Sequence, residues 1–340
     1  MPALILVTPG ICAGLRGERL RLVLPPEDGN GDEPTTREIP LRDIEHLVLT
    51  PHVSLSIPAL AELMKLDIPV TIVRGDSERL IGCCVSIPKL SDTRIIQYRK
   101  SEDPAFARGI ATAVIATKIR NQRRVLQRLA ANRVEAVVAS VLRRLEHAIG
   151  RAESVPAGCL GQLMGIEGAA ASDYFNALSA FFPPEAPMRG RTRRPPLDPP
   201  NAVLSYGYAL LAGEMTCAIF TEGLDPAIGF LHDPAENRAA LALDLIEPFR
   251  PVVADALAVD LFSHHILDPE QHFQREAEGV HLNPEGRKRF HAQYERRMTR
   301  AFRENPASPP TTLRQCVRAQ AAALKKALRE EGEWTAFRMP

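Results

Sequence analysis

The residues best suited to chemistry are a histidine and two acids in "GFLHDPAENRAALALDLIEPFRP", Gly229 to Pro251. His232 stands in a polar turn, while Asp244 and Glu247 lie three apart among Leu241, Leu243, Leu245 and Ile246. On a helix that separation puts both carboxylates on one face, with Cβ atoms about 5 to 6 Å apart. Two like charges there repel, and burying either without a counter-charge is expensive. The spacing therefore demands something positive, an arginine or a metal ion, and the apolar neighbours predict that the acids point into a cleft.

Glu167 is a third acid, between Gly165 and Gly168 in "GQLMGIEGAAASDYFNALSAFF". Each glycine inside a helix costs about 1 kcal/mol relative to alanine, which predicts close approach by another backbone or a ligand. Carboxylates with one imidazole form a mixed oxygen and nitrogen donor set that suits Mg²⁺ or Mn²⁺ better than a thiol-preferring metal. Such an ion can polarise a phosphodiester and balance charge on the entering and leaving oxygens. Spacing alone leaves open a solvated histidine and an arginine-neutralised pair of acids.

The elements that must position these side chains fall into two halves of different period. Up to about Val85 the apolar residues alternate or come in short runs, "ALILVTP", "RLRLVLPP", "EHLVLTP", "IPVTIVRG" and "RLIGCCVS", which are strand signals. One helix-like insertion, "IPALAELMKLD", interrupts them, and "PPEDGNGDEPTTRE" reads as an exposed loop. After "IPKLSDTR" the period becomes helical, from Phe106 to Gly150 and again over 160–182, 202–221, 240–262, 284–304 and 311–330. The expected class is α+β: a small mainly-β domain at 1–86, a linker at 87–93 and a larger all-α catalytic domain at 94–340.

Whole-chain charge is nearly balanced, +1 over 340 residues, so any nucleic-acid surface must come from local placement. Between Arg94 and Glu146 there are 12 Arg and Lys against 4 Asp and Glu. Arg189, Arg191, Arg193 and Arg194 crowd a proline-rich loop, "FFPPEAPMRGRTRRPPLDPPN", and arginine forks suit phosphate oxygens. The competing reading is a solvated helix face whose aliphatic stems cover the core. The 6 cysteines form no CxxC pair and read as small core residues of a reducing compartment. The N-terminus lacks a signal pattern and no apolar run approaches bilayer-spanning length, so the expectation is cytoplasmic, with no membrane partner.

Several ordered segments together resemble the universal integrase of CRISPR adaptation, the metal-dependent endonuclease that inserts spacers into a repeat array. They are "PLRDIEHLVLTPHVSLSIPALAELMKLDIPVTIV", "LMGIEGAAASDYFNAL", "RTRRPPLDPPNAVLSYGYALLAGEM", "GLDPAIGFLH", "LALDLIEPFRP", "RAQAAALKKAL" and "WTAFRM", spread over nearly the whole chain. The resemblance implies that Glu167, His232 and Glu247 are catalytic metal ligands for Mg²⁺ or Mn²⁺, with Asp244 a further ligand or a partner to one. It implies a homodimer paired through the β domains, a small second adaptation subunit, and double-stranded DNA as substrate, both spacer precursor and repeat array. Arg120, Arg123, Arg124, Arg189, Arg191, Arg193, Arg194 and Arg238 are the candidate DNA contacts. Pro248 departs from the family, which usually has a charged residue there; it predicts a lost backbone donor and a kinked helix. Two rival functions are a DNA-binding scaffold without catalysis and another all-α Mg²⁺-dependent phosphoryl or diphosphate enzyme; the latter would need an aspartate-rich DDxxD helix, which is missing.

Overall fold

The computed structural model describes residues 3–26, 34–74, 80–86, 92–131, 136–156, 159–193, 195–232, 239–276, 279–330 and 332–340. The chain separates into two compact units, Met1–Pro88 and Lys89–Pro340. Most of the expected linker, residues 87–91, lies outside the described residues; its last two, Asp92 and Thr93, open a helix.

The first unit follows the alternating pattern. Its strands are β1 (Leu4–Leu6), β2 (Cys12–Arg16), β3 (Arg19–Leu24), β4 (Thr35–Pro40), β5 (Leu47–Leu49) and β6 (Ser54–Leu55), then helix α1 (Ile57–Lys65), β7 (Val70–Val73) and β8 (Leu80–Cys84). One sheet runs β1-β5-β7-β8, parallel except at its last pair, and the other β4-β3-β2-β6. Leu20 and Leu22 of β3 point inward, while Arg19 and Arg21 point out, the period of a half-buried strand. β4 contradicts the expected loop: "TTREIP" pairs with β3 although only its last three residues are partly buried. Sequence patterning cannot see an edge strand whose side chains face water on both sides.

The second unit is mostly helical: α2 (Asp92–Ser101), α3 (Pro104–Ala130), α4 (Ala136–Glu153), α5 (Leu160–Ser179), α6 (Pro199–Thr221), α7 (Ala240–Ile246), α8 (Ala256–Ser263), α9 (Pro284–Thr299) and α10 (Leu313–Glu330). A hairpin, β9 (Phe273–Glu276) with β10 (Gly279–Leu282), is added between α8 and α9. Polar caps set the starts: Asp103 accepts from the amides of Ala105 and Phe106, Asp198 from Asn201, and Asn283 from Gly286, each satisfying donors that have no intrahelical partner. By length and composition α6 could cross a bilayer, contrary to the expectation that no run could, but 72% of its apolar window is buried. It is the central core helix of this unit. The cysteines also depart from expectation, since Cys12 and Cys159 are exposed and only Cys217 and Cys316 are buried.

The helix expected over 240–262 is broken. α7 stops at Ile246, residues 247–249 form a turn, and a π-helical turn at Pro251–Asp255 leads into α8. Pro248 has no N–H to continue the ladder. The Asp244 carbonyl instead accepts from Glu247 N at 3.3 Å, and Phe249 N reaches Ile246 at 2.9 Å. Glu247 caps α7 with dihedrals still helical (φ −51°, ψ −46°) and stands at the head of the turn.

Candidate metal and phosphodiester site

Asp244 is fully buried and folds the preceding loop around itself. Its Oδ2 accepts from the amides of Phe230 at 2.6 Å and Leu231 at 3.0 Å, and its Oδ1 from the His232 amide at 3.1 Å. Gly229 permits this approach, because a Cβ there would lie 2.6 Å from Asp244 Oδ2 and 3.0 Å from the Ala240 carbonyl carbon. His232 Nδ1 sits 2.6 Å from Asp244 Oδ1. A carboxylate oxygen in this contact accepts, so Nδ1 carries the hydrogen and Nε2 is the ring nitrogen left free of Asp244.

Glu167 and Glu247 meet at Lys118. The Lys118 ammonium, on α3, pairs with Glu167 Oε1 from α5 and lies 2.6 Å from Glu247 Oε2. Arg250 holds the other Glu247 oxygen at 2.7 Å. Burial pushes the Glu247 carboxyl up, but Arg250 and Lys118 outweigh it, with a smaller contribution from His232, and hold it at about 2. Glu247 is therefore ionised at any physiological pH. Its buried Oε2 has the ion contact but no aligned hydrogen bond.

Among the described residues no three His, Cys, Asp or Glu side chains converge into a ready cage. The reason is visible at Lys118, whose ammonium takes the position between the two carboxylates. The donor set nonetheless fits a hard divalent ion. Two carboxylates share one cation, one carboxylate oxygen lacks a directed partner, and an imidazole is fixed through Nδ1 with its Nε2 left for a ligand. Asp244 differs from the other three because its oxygens are already taken by three amides and His232, an arrangement that orients the imidazole.

Residues the sequence reading passed over complete the site. Asn121, one turn beyond Lys118, donates from Nδ2 to the carbonyls of Pro248 at 2.7 Å and Phe337 at 2.9 Å. Phe249 and Phe337 stack with centroids 4.6 Å apart and planes 5° from parallel. The C-terminal "WTAFRM" segment thus supports the turn that carries Glu247. Arg250 lies 4.7 Å over the Tyr208 ring, and Arg191 lies 5.4 Å from the same ring. Tyr208 and Tyr174 both donate to buried Asp255, at 2.5 and 2.9 Å. Burial raises Asp255 to about 6, against the two tyrosine hydrogen bonds and the charges of Arg191 and Arg250.

The candidate DNA contacts divide. Arg120 pairs with Glu153, and Arg123 with Glu146 at 3.0 Å. Arg124 reaches the Pro340 carbonyl at 3.4 Å. Arg191 is held by Asn201 Oδ1 at 2.9 Å and Ser205 Oγ at 3.2 Å. Arg189 and Arg193 are exposed, and Arg194 and Arg238 lie outside the described residues. The two glycines flanking Glu167 face open space, since a Cβ at Gly165 or Gly168 would meet nothing within 4 Å. Among the described residues no second backbone approaches these two glycines.

Residues 4–296 match the family described as CRISPR associated protein Cas1. The chain belongs to the Cas1 family. It is 35% identical over 298 residues to the CRISPR-associated endonuclease Cas1 1 of Thermus thermophilus, covering 88% of this chain and 89% of that one. A Cas4 exonuclease/Cas1 endonuclease fusion of Geobacter sulfurreducens is 34% identical over 309 residues, and the match spans 54% of its length. Among solved structures, a casposase bound to its integration product superposes with a TM-score of 0.83 at 24% identity, over 100% of this chain and 94% of the casposase. A Cas1 protein from Thermotoga maritima gives 0.77 at 23% identity, over 100% of both chains. At those identities the structural likeness speaks to the Cas1 fold, which is the expected mainly-β unit followed by a helical one.

Proposed function

We propose that this Cas1 chain is a metal-dependent DNA endonuclease and integrase of CRISPR adaptation, joining spacer DNA to a repeat array. The observation that carries the reading is the meeting of Glu167 and Glu247 at one cation, beside a histidine whose Nδ1 is tied to a buried aspartate. Glu167, His232 Nε2 and Glu247 would hold Mg²⁺ or Mn²⁺, which supplies Lewis-acid polarisation of a phosphodiester oxygen and charge balance for the oxygens that enter and leave. Asp244 and Arg250 are positioning residues: the first fixes the imidazole, the second aims the Glu247 carboxylate. A 3′-hydroxyl attacks phosphorus, the new P–O bond forms as the P–O3′ bond of the target strand breaks, and the proton lost by the attacking hydroxyl is balanced by one gained at the leaving oxygen. Phosphodiester bonds are conserved in number. With water as nucleophile the same site hydrolyses DNA, branched forms included.

A cytoplasmic homodimer paired through the first unit fits the task, because one site per chain cannot join both spacer ends; exposed Ile57, Leu66 and Ile81 supply apolar surface there. Solved relatives include a Cas6-RT-Cas1–Cas2 complex, and a small Cas2-type subunit is the corresponding partner here. The test is strand transfer of a labelled duplex with free 3′-hydroxyls into a repeat-bearing plasmid, with Mn²⁺ and with EDTA. Transfer in Mn²⁺ that EDTA abolishes is expected; duplex binding without turnover in either would leave only a scaffold. In the same system Arg189→Ala with Arg193→Ala should weaken duplex binding several-fold and flatten its salt dependence by about two contacts' worth. An unchanged salt slope would remove this loop from the DNA surface.

A further inference from the structure

On the far side of the turn that carries Glu247, within the second unit, lies a cavity of about 910 Å³. Five guanidinium groups line it, those of Arg128, Arg296, Arg297, Arg300 and Arg303, against one acidic side chain, that of Asp260. Asp260 is already committed to Arg297 at 3.0 Å, and Arg297 also donates to the Val252 carbonyl at 3.0 Å. Arg128 reaches the Pro340 carbonyl at 2.5 Å, and Arg303 the Ser308 carbonyl at 2.5 Å. Arg296 and Arg300 are exposed and make no ion pair with a described acid. Burial holds Arg297 below the usual arginine range; Asp260 opposes this, and the charges of Arg300 and Arg128 add to it.

So dense a set of like charges is stabilised by an anion, and guanidinium forks match phosphate oxygens bidentately. The volume is at the upper end of small-ligand sites and far exceeds what one inorganic phosphate fills, which favours a chain of phosphates. Phe302, half-buried on the rim, offers a ring face to a sugar or base. The cavity is also mechanically joined to the carboxylate site. α3 carries both Lys118 and Arg128, ten residues and so roughly 15 Å apart along the helix. Arg297 grips Val252, two residues after Arg250.

We infer that this cavity is a second DNA-backbone subsite, holding phosphates of the nucleic acid some four to five nucleotides from the reacting phosphodiester. That spacing follows from ~15 Å of helix set against about 3.4 Å per nucleotide along one strand. The inference rests on the DNA-joining reading above. Its contribution is sequence-independent: it fixes the register of the DNA and leaves base choice to other contacts.

The test uses the full chain in EDTA, so that binding is read without turnover. Fluorescence anisotropy with a labelled branched DNA, repeated over a salt series, compares wild type with Arg296→Ala/Arg300→Ala, two exposed changes that spare the core. The variant should bind about tenfold more weakly near 0.15 M salt, and its log–log salt slope should be shallower by about two. Circular dichroism identical to wild type excludes misfolding, and Arg289→Ala, which breaks only an exposed pair with Glu285 on α9, serves as the control for loss of one arginine outside the cavity and should be nearly silent. Unchanged affinity and slope, in a protein whose wild type binds DNA and joins it with Mn²⁺, would overturn the subsite and leave the function standing. Sodium triphosphate bound by wild type and not by the variant, with DNA binding intact in both, would assign the cavity to a small polyanion and also overturn it. A wild type with no salt-dependent DNA binding would remove both readings together.

Discussion

Glu167→Gln is expected to lower Mn²⁺-dependent strand transfer by about a thousandfold, while DNA affinity in EDTA stays within about twofold of wild type. The substitution keeps shape and removes one negative donor. Charge stabilisation by an ion at the reacting phosphate is worth several kcal/mol, and a loss of about 4 kcal/mol corresponds to roughly 10³ in rate. The affinity is spared because Glu167 is an acid facing an open glycine-flanked surface, so its neutralisation removes repulsion from phosphate and no attraction. Gel-resolved transfer rates over a Mn²⁺ titration check it. A variant with wild-type kinetics at all Mn²⁺ concentrations would mean that Glu167 is no ligand and that the Lys118 pair is merely structural.

The contrast between the acids explains what was legible in the sequence. Asp244 and Glu247 look alike there, two acids three apart on an apolar run, yet they do different work. Asp244 stays in the helix and turns inward to collect three amides and an imidazole. Glu247 caps the helix directly before Pro248 and reaches Lys118 of α3, where it meets Glu167 of α5. Gly229 carried the clue to the first, since a glycine directly before "FLH" is what lets a carboxylate lie against the backbone. Pro248 carried the clue to the second, although a proline predicts a break and not its direction.

The cations were much less legible. Lys118 is one basic residue in a run of twelve, among which Arg120, Arg123 and Arg144 pair with acids of α4 or α5. Only burial distinguishes it, at 6% exposed, and burial of a lysine follows from which helices pack, not from its neighbours in sequence. Arg191 shows the reverse error: grouped with Arg189 and Arg193 by proximity, it is locked to Asn201, Ser205 and the Tyr208 ring. The α+β division was readable because a period of two and a period of 3.6 separate cleanly at the boundary. The strand at Thr35–Pro40 was not, because it buries no alternating face, and the hairpin was not because β9 buries only Phe273 and the alternation of β10, Val280 and Leu282 inward, lasts only four residues.

Lys118→Met is expected to lower the stability of the second unit by about 3 kcal/mol in EDTA, and Mn²⁺ is expected to restore more of it than it adds to wild type. Removing one partner of a buried pair strands an uncompensated charge, at a cost of about 3 to 5 kcal/mol. The lower end applies because Arg250 remains on Glu247 at 2.7 Å and Glu167 keeps partial access to water. In wild type an ion must displace the ammonium from both carboxylates, whereas in the variant only Arg250, on the other oxygen of Glu247, still neutralises them. A unit of this size should melt roughly 6 to 12 °C lower in EDTA, and the Mn²⁺-induced rise in Tm should be larger for the variant. Methionine keeps the aliphatic length that packs on α3, so a loss of this size reports charge and not a cavity. Equal Mn²⁺ shifts in the two proteins would show that the ion and the ammonium do not compete for the same oxygens, and would move the metal away from the Glu167–Glu247 pair.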